Sequence, residues 1–364
     1  MNVPDWLKKV QESLPTWLEK LSVKGQPGRF YPCLDGRTKV GEDAVLGFSC
    51  FALKIFYITG LWDKLGLKEK NAWLDFIRSF QHPSSGAFLD RAILDNCDPL
   101  LARIRRFFFS QVQHKNLSHL KATIIAETKQ AIATLDHVGA RASYPYREFP
   151  QNPAELNMYL KSLDWVHPWA AGGQSAAIAV FVKNESPKIL SLADSEKLLE
   201  IVRRFFTEFA DSQTGAWFIG RCPAHGELIN GAMKVLTALE WLECEIPYPK
   251  QLIDTCLAYP PKPEGCHLVD YIYVLYRCQL QTSHRQKEIT KRSQLILDMV
   301  SKHFQMDGAF SYFVDGNQVS YYGAKFAKSL KQSDIQGTFL LCYAIAIIGK
   351  IIELNDFKWR LIKP

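Results

Sequence analysis

Six segments of this chain are too apolar to face water on any side. They are residues 42–59, 121–135, 169–182, 227–242, 266–280 and 334–352, rich in small and aliphatic side chains. A helix that is apolar around its whole circumference has to be buried around it. The segments between them carry a one-sided stripe. Trp6, Leu7, Val10, Leu14, Trp17, Leu18 and Leu21 recur at helical spacing in residues 5–21. In residues 195–209, Leu198, Leu199, Val202, Phe205 and Phe206 oppose Glu196, Lys197, Glu200, Arg203 and Arg204. Residues 153–163 and 286–303 behave likewise. Buried helices alternating with amphipathic ones predict an inner ring inside an outer ring. The expected fold is therefore all-α, an (α/α)6 double helical barrel, with residues 1–364 as one domain. A helical insertion or cap is expected near 91–116. β-structure should be minimal: one hairpin, from 312–314 and 318–322 around Asp315-Gly316-Asn317.

The turns between layers repeat. Phe80-Gln81-His82-Pro83-Ser84-Ser85-Gly86-Ala87-Phe88 returns as Phe209-Ala210-Asp211-Ser212-Gln213-Thr214-Gly215-Ala216-Trp217 and as Phe304-Gln305-Met306-Asp307-Gly308-Ala309-Phe310. A weaker echo is Gly25-Gln26-Pro27-Gly28-Arg29-Phe30. A recurring phrase marks a recurring supersecondary unit. These phrases resemble the Gln-Trp repeats of squalene and oxidosqualene cyclases and the related turns of protein prenyltransferase β-subunits. The resemblance covers most of the chain as a repeat pattern. It implies the α/α toroid of the terpenoid cyclase and prenyltransferase superfamily, with Phe88, Trp217 and Phe310 packed between neighbouring outer helices. The catalytic signatures of those families are not matched. No DxDD string occurs; the nearest is Asp95-Asn96-Cys97-Asp98. Gly265-Cys266-His267 opens an inner helix, but no clear zinc-ligand motif of the prenyltransferases accompanies it.

Composition narrows the function classes. The 364 residues are 47% hydrophobic and 22% charged, a globular balance. No uncharged apolar run reaches the roughly 18 residues of a membrane span, and the first residues lack a secretory signal. Nine scattered cysteines without a CxxC pair read as reduced thiols in a cytoplasmic protein. The net charge of +7 is spread over several solvated runs, and no nucleic-acid module is present. The expected partner is a small-molecule or lipid-like substrate, with peripheral membrane contact left open and no nucleic acid.

Parallel inner helices would gather their N-termini at one mouth, so polar residues at those ends are the candidates for chemistry. His225, Glu227, His267, Asp270 and Asp334 are the expected catalytic groups. Trp169, Gln174, Asn230, Glu127, Tyr271 and Gln336 are expected to bind substrate. Glu227 and Asn230 are i, i+3 neighbours, as are His267 and Asp270, so each pair shares a helix face. A His–carboxylate pair can tune proton transfer. Glu127 and Gln130 are expected to face the lumen together while Lys129 points elsewhere. Asp334 and Asp43 also suit plain helix capping. No cofactor is expected; zinc on Cys266, Asp270 and a neighbouring histidine matches no strong ligand spacing.

Three functions fit these features. The first is an enzyme acting on an apolar, isoprenoid-like substrate, with lumen aromatics suited to a carbocation. The second is a carbohydrate-active barrel enzyme (glycosidase, lyase or epimerase), for which Glu227 with Asp270 and Glu127 with Asp43 are the carboxylate pairs to measure. The third is a non-catalytic binding or scaffold member, which predicts a filled lumen and ordinary titration behaviour.

Overall fold

The computed structural model describes residues 2–43, 45–96 and 119–364, a mostly helical chain with minimal strand. Its longer helices are α1 (Asp5–Leu21), α2 (Leu46–Thr59), α3 (Leu67–Arg78), α4 (His119–His137), α5 (Pro153–Ser162), α6 (Pro168–Asn184), α7 (Leu192–Phe209), α8 (His225–Trp241), α9 (Pro249–Leu257), α10 (Gly265–Gln279), α11 (Gln286–Ser301) and α12 (Ile335–Ile351). The even-numbered helices are the apolar segments. They pack in cyclic order: α2 on α4, α4 on α6, α6 on α8, α8 on α10, α10 on α12, and α12 back on α2. The odd-numbered, one-sided helices flank them, with α3 on α2, α7 on α6 and α8, α9 on α10, and α11 on α10 and α12. One continuous hydrophobic cluster runs through both sets.

The ends of the even-numbered helices are sorted. The Trp169 ring lies tilted against His267, and Gly231 abuts Pro168, so the N-terminal portions of α6, α8 and α10 lie together. Residues 312–325 reach those of α2, α4, α10 and α12. Tyr321 packs on Phe48, His119 bonds the Tyr322 carbonyl, and Tyr312 lies against Gly265 and Gly337. The opposite ends meet residues 357–364. There Ile58 O accepts from Arg360 N, Trp241 Nε1 donates to Pro364 O, and the Tyr343 hydroxyl donates to Ile362 O.

The repeated phrase forms one turn three times. Gly86, Gly215 and Gly308 all have positive φ (+73°, +72° and +105°). Each N–H closes a short loop, to His82, Asp211 and Gln305 in turn, and a bond from each of those residues to Ala87, Ala216 or Ala309 locks it. Phe88, Trp217 and Phe310 that follow are fully buried. The inner helix comes back to meet this turn: Phe88 N donates to Thr128 Oγ1 of α4, and Phe310 N to Thr338 Oγ1 of α12.

Two boundaries differ from expectation. α2 begins at Leu46, and Glu42 and Asp43 lie in a separate helical turn, Lys39–Asp43. The Asp90 carboxylate accepts from Val45 N (3.0 Å) and Leu46 N (3.1 Å), capping α2 from another segment. No local pattern announces a cap borrowed across 44 residues. The hairpin pairs Ser320–Tyr321 with Ala324–Lys325, one turn later than expected. Its turn, Tyr322-Gly323, has positive φ at both residues (48° and 86°), which suits the twist of paired strands. Of the cap expected near 91–116, residues 91–94 form a helical turn and 97–116 lie outside the described residues.

Candidate functional site

Where α8 and α10 begin, a cavity of about 200 Å³ is lined by His225, Asn230, Tyr259, Lys262, His267 and Tyr271 among others. His267 is placed from both sides. Its Nδ1 lies 3.1 Å from Asn230 Nδ2, which can only donate, so Nδ1 accepts and the ring proton sits on Nε2. Nε2 lies 3.9 Å from Glu264, and the Trp169 ring stands 5.7 Å from the imidazole. Burial lowers the His267 pKa, with Glu264 opposing and Lys262 assisting. The imidazole is therefore neutral at physiological pH. Glu227 does not face this cavity freely: its Oε1 accepts from Trp169 N at 2.9 Å, tying α8 to the first turn of α6. His225 Nε2 lies 3.0 Å from the Thr255 carbonyl.

A second group lies deeper, within the ring. α2 and α8 stand opposite one another in the packing order, yet Lys234 of α8 depresses the pKa of Lys54 of α2. Lys129 of α4 feels both of them. Lys54 is only 5% exposed, and its ammonium lies 5.2 Å from the Phe339 ring of α12. Burial pulls its pKa down to about 8, against the favourable influence of Cys50 and Glu127. Burial pulls Lys129 down as well, with the two neighbouring lysines reinforcing it. Lys234 pairs with Asp270 at 3.7 Å.

Two carboxylates share this interior, each 1% exposed. Burial raises Asp270 to about 6 despite Lys234, and raises Glu127 to about 8 despite the hydrogen bond that the Tyr321 hydroxyl donates to Glu127 Oε1. Asp90 adds to the shift of Glu127. Burial thus shifts both carboxyl groups toward their protonated forms, Glu127 further than Asp270. Glu127 Oε2 and Asp270 Oδ2 have no hydrogen-bond partner among the described residues.

The expected residues therefore divide. His225, Asn230, His267 and Tyr271 line one cavity, with the Trp169 ring tilted against His267 and Glu227 braced behind it. Asp270 and Glu127 belong to the deeper, buried group instead. Asp334 serves as a cap: its oxygens accept from Gly337 N, Tyr312 N and Gln318 N, and its rise to about 6 is the cost of its own burial. Gln336 Oε1 is buried without a partner among the described residues, and Gln174 is partly exposed on α6. The Glu127–Asp43 pairing is not formed by adjacent elements of one helix mouth, since Asp43 lines a different surface cavity beside Asp90 and Asn96. Among the described residues, no three His, Cys, Asp or Glu side chains converge as a metal requires. No described helix is long and apolar enough to cross a membrane.

Lys129 is partly buried, and Lys54 and Lys234 act on it electrostatically. Gln130 donates to the Gly47 carbonyl and to the Tyr321 hydroxyl, the same hydroxyl that bonds Glu127. Lys54, Lys234 and Tyr321 were not among the expected site residues. The signal for the lysines was in the sequence: Lys54 is the only charge in α2, and Lys234 is the one cation in the interior of α8. A lone charge in a helix buried on all sides must find space or a partner inside the fold.

No family model and no curated protein matches this chain. A solved polysaccharide lyase is similar in structure, with 11% identity and a TM-score of 0.32, across 98% of this chain and 99% of that one.

Proposed function

We propose that the ring of even-numbered helices is the inner layer of an α/α toroid, and that the protein is a carbohydrate-active enzyme working in its lumen. One observation carries this reading: the lumen is polar. Lys54, Lys129 and Lys234 converge with Asp270 and Glu127, and both carboxylates keep an oxygen without a partner. An isoprenoid chain there would leave these groups buried against hydrocarbon, at a cost of several kcal/mol for each unpaired ion. A sugar brings hydroxyls that donate to the free oxygens and accept from the ammonium groups. The shifted titrations of Glu127 and Asp270 also speak against a retired scaffold, for which nothing selects proton-bearing carboxylates.

In this reading Glu127 and Asp270 hold the protons that a glycan reaction moves. Tyr321, bonded to Glu127, orients it. Trp169, His267 and Asn230 at the adjoining cavity hold the sugar chain as it enters. The test is turnover of a panel of neutral and acidic polysaccharides, scored by new reducing ends and by new unsaturated products. Glu127→Gln and Asp270→Asn should each slow turnover by about 100-fold or more. Turnover of no glycan, or full activity in the double variant, overturns the assignment.

A further inference from the structure

Glu127 stands at the end of a chain of hydrogen bonds whose directions follow from donor counting. Gln130 lies one turn further along α4, and its side-chain amide is 3.3 Å from the Gly47 carbonyl and 3.2 Å from the Tyr321 hydroxyl. A carbonyl oxygen only accepts, so the atom between them is Nε2, and its two hydrogens go one to each. The Tyr321 hydroxyl thus receives a hydrogen bond from Gln130 and has one proton of its own to give. It gives that proton to Glu127 Oε1. A carboxyl oxygen is a better acceptor than the hydroxyl of the neighbouring Tyr322, the more so once it is charged.

This order decides where a proton on Glu127 can sit. A hydrogen on Oε1 would meet the Tyr321 hydrogen head-on, so the protonated carboxyl carries its hydrogen on Oε2. Oε2 is buried and has no hydrogen-bond partner among the described residues. A buried O–H with nothing to donate to is costly, and a ligand oxygen that accepts from it removes the cost.

We propose that Gln130 and Tyr321 are positioning residues that hold the transferable proton of Glu127 on Oε2, the carboxyl atom left free to meet a ligand. This rests on Glu127 being an acid of the sugar site, and it adds which atom delivers the proton and what fixes it there. In the transfer the Oε2–H bond breaks and an O–H bond forms on the accepting sugar oxygen. The charge left on the carboxylate is met at Oε1 by the same Tyr321 hydroxyl. The groups that act on Glu127 from the surrounding elements are Cys50 and Lys54 of α2, Asp90 from the segment that caps α2, and Tyr321 and Tyr322 of the hairpin. α6, also packed on α4, has no charged residue before Lys183.

Infrared spectroscopy of the full, ligand-free chain tests this through the carboxyl C=O band of Glu127, identified as the band lost in Glu127→Gln. With Oε1 as the carbonyl oxygen, Tyr321→Phe removes its hydrogen bond and the band should move to higher frequency. Gln130→Met removes the donor behind Tyr321 and should move the band the same way by less. The pH at which the band is half lost should rise by about one unit in Tyr321→Phe, because the anion loses a hydrogen bond. The limb on which glycan turnover falls with rising pH should move up with it. Tyr321→Phe keeps the ring that packs on Phe48 and Phe51, so it should melt close to the parent. Gln130→Met reads the same chain of bonds without touching those rings. A band that stays in place in both variants puts the proton on Oε1 and overturns the proposal, as does a Glu127 that shows no such band at acid pH. A shifted band without turnover of any glycan would leave this proton placement standing and remove the catalytic reading. Turnover lost in Glu127→Gln, with the band unmoved in Tyr321→Phe and Gln130→Met, would do the reverse.

Discussion

Glu127 sits where a carboxylate is least comfortable, and its proton is the measure of that discomfort. Its pKa lies near 8 in the folded chain against an ordinary 4.5, because burial penalises the anion. Folding therefore favours the protonated group. Its contribution to stability is complete below pH 4.5, shrinks as pH rises, and is lost through pH 8. Glu127→Gln keeps an amide that Tyr321 can still meet and has no proton to lose. Compared with the parent, the variant should be more stable at pH 9 by about 2 kcal/mol and nearly equal at pH 4, as chemical denaturation at the two pH values would report. A difference that does not change with pH would contradict the burial argument. Lys54 runs the opposite way: its pKa falls from 10.5 to about 8, so its cost appears as pH falls between those values and stays below them. The same desolvation acts on both; only the sign of the charge differs.

At the scale of the element, the Gly-aromatic turn is the joint of each helix pair. Gly215 shows why glycine is needed. Its φ of +72° is a conformation that β-carbons resist, and a β-carbon there would stand 2.6 Å from both Leu252 N and Tyr248 O. Gly215→Ala should cost at least about 2 kcal/mol, from left-handed strain and from forcing α9 away. Trp217, two residues on, is fully buried and its Nε1 donates to Phe206 O at 2.8 Å. Trp217→Ala should cost about 3–5 kcal/mol by leaving a cavity. Thermal or denaturant unfolding measures both. If either variant melts with the parent, the turn does not hold the layers together. These turns were legible in the sequence because they are local: the glycine, the polar residues before it and the aromatic after it are all within nine positions. The start of α2 was not, because its cap is the Asp90 side chain, remote in sequence.

At the scale of the whole molecule, segments that belong to no helix pair pack against both ends of the even-numbered helices. The 312–325 segment covers the N-terminal side through Tyr312 and Tyr321, and residues 357–364 cover the other through Arg360, Ile362 and Pro364. Arg360 also pairs with Asp63, and Trp359 is buried. Deleting residues 357–364 removes these contacts and uncovers Trp241 and Tyr343. The shortened chain should lose a few kcal/mol of stability, and acrylamide should quench its tryptophan fluorescence more strongly. Unchanged melting and quenching would mean the tail only rests on the surface.

The sequence by itself determined the alternation of buried and one-sided helices, because hydrophobic periodicity is a property of neighbours three and four apart. It determined the repeated turns, whose bonds span few residues, and it carried the clue of single charges inside apolar helices. It did not determine which of those charges meet. Lys54, Lys129, Lys234, Glu127 and Asp270 come from four helices and are separated by up to 216 positions, and only the packing of those helices against one another buries them together. Their protonation was likewise decided by tertiary structure, since desolvation depends on everything packed around a group and on nothing in its own segment.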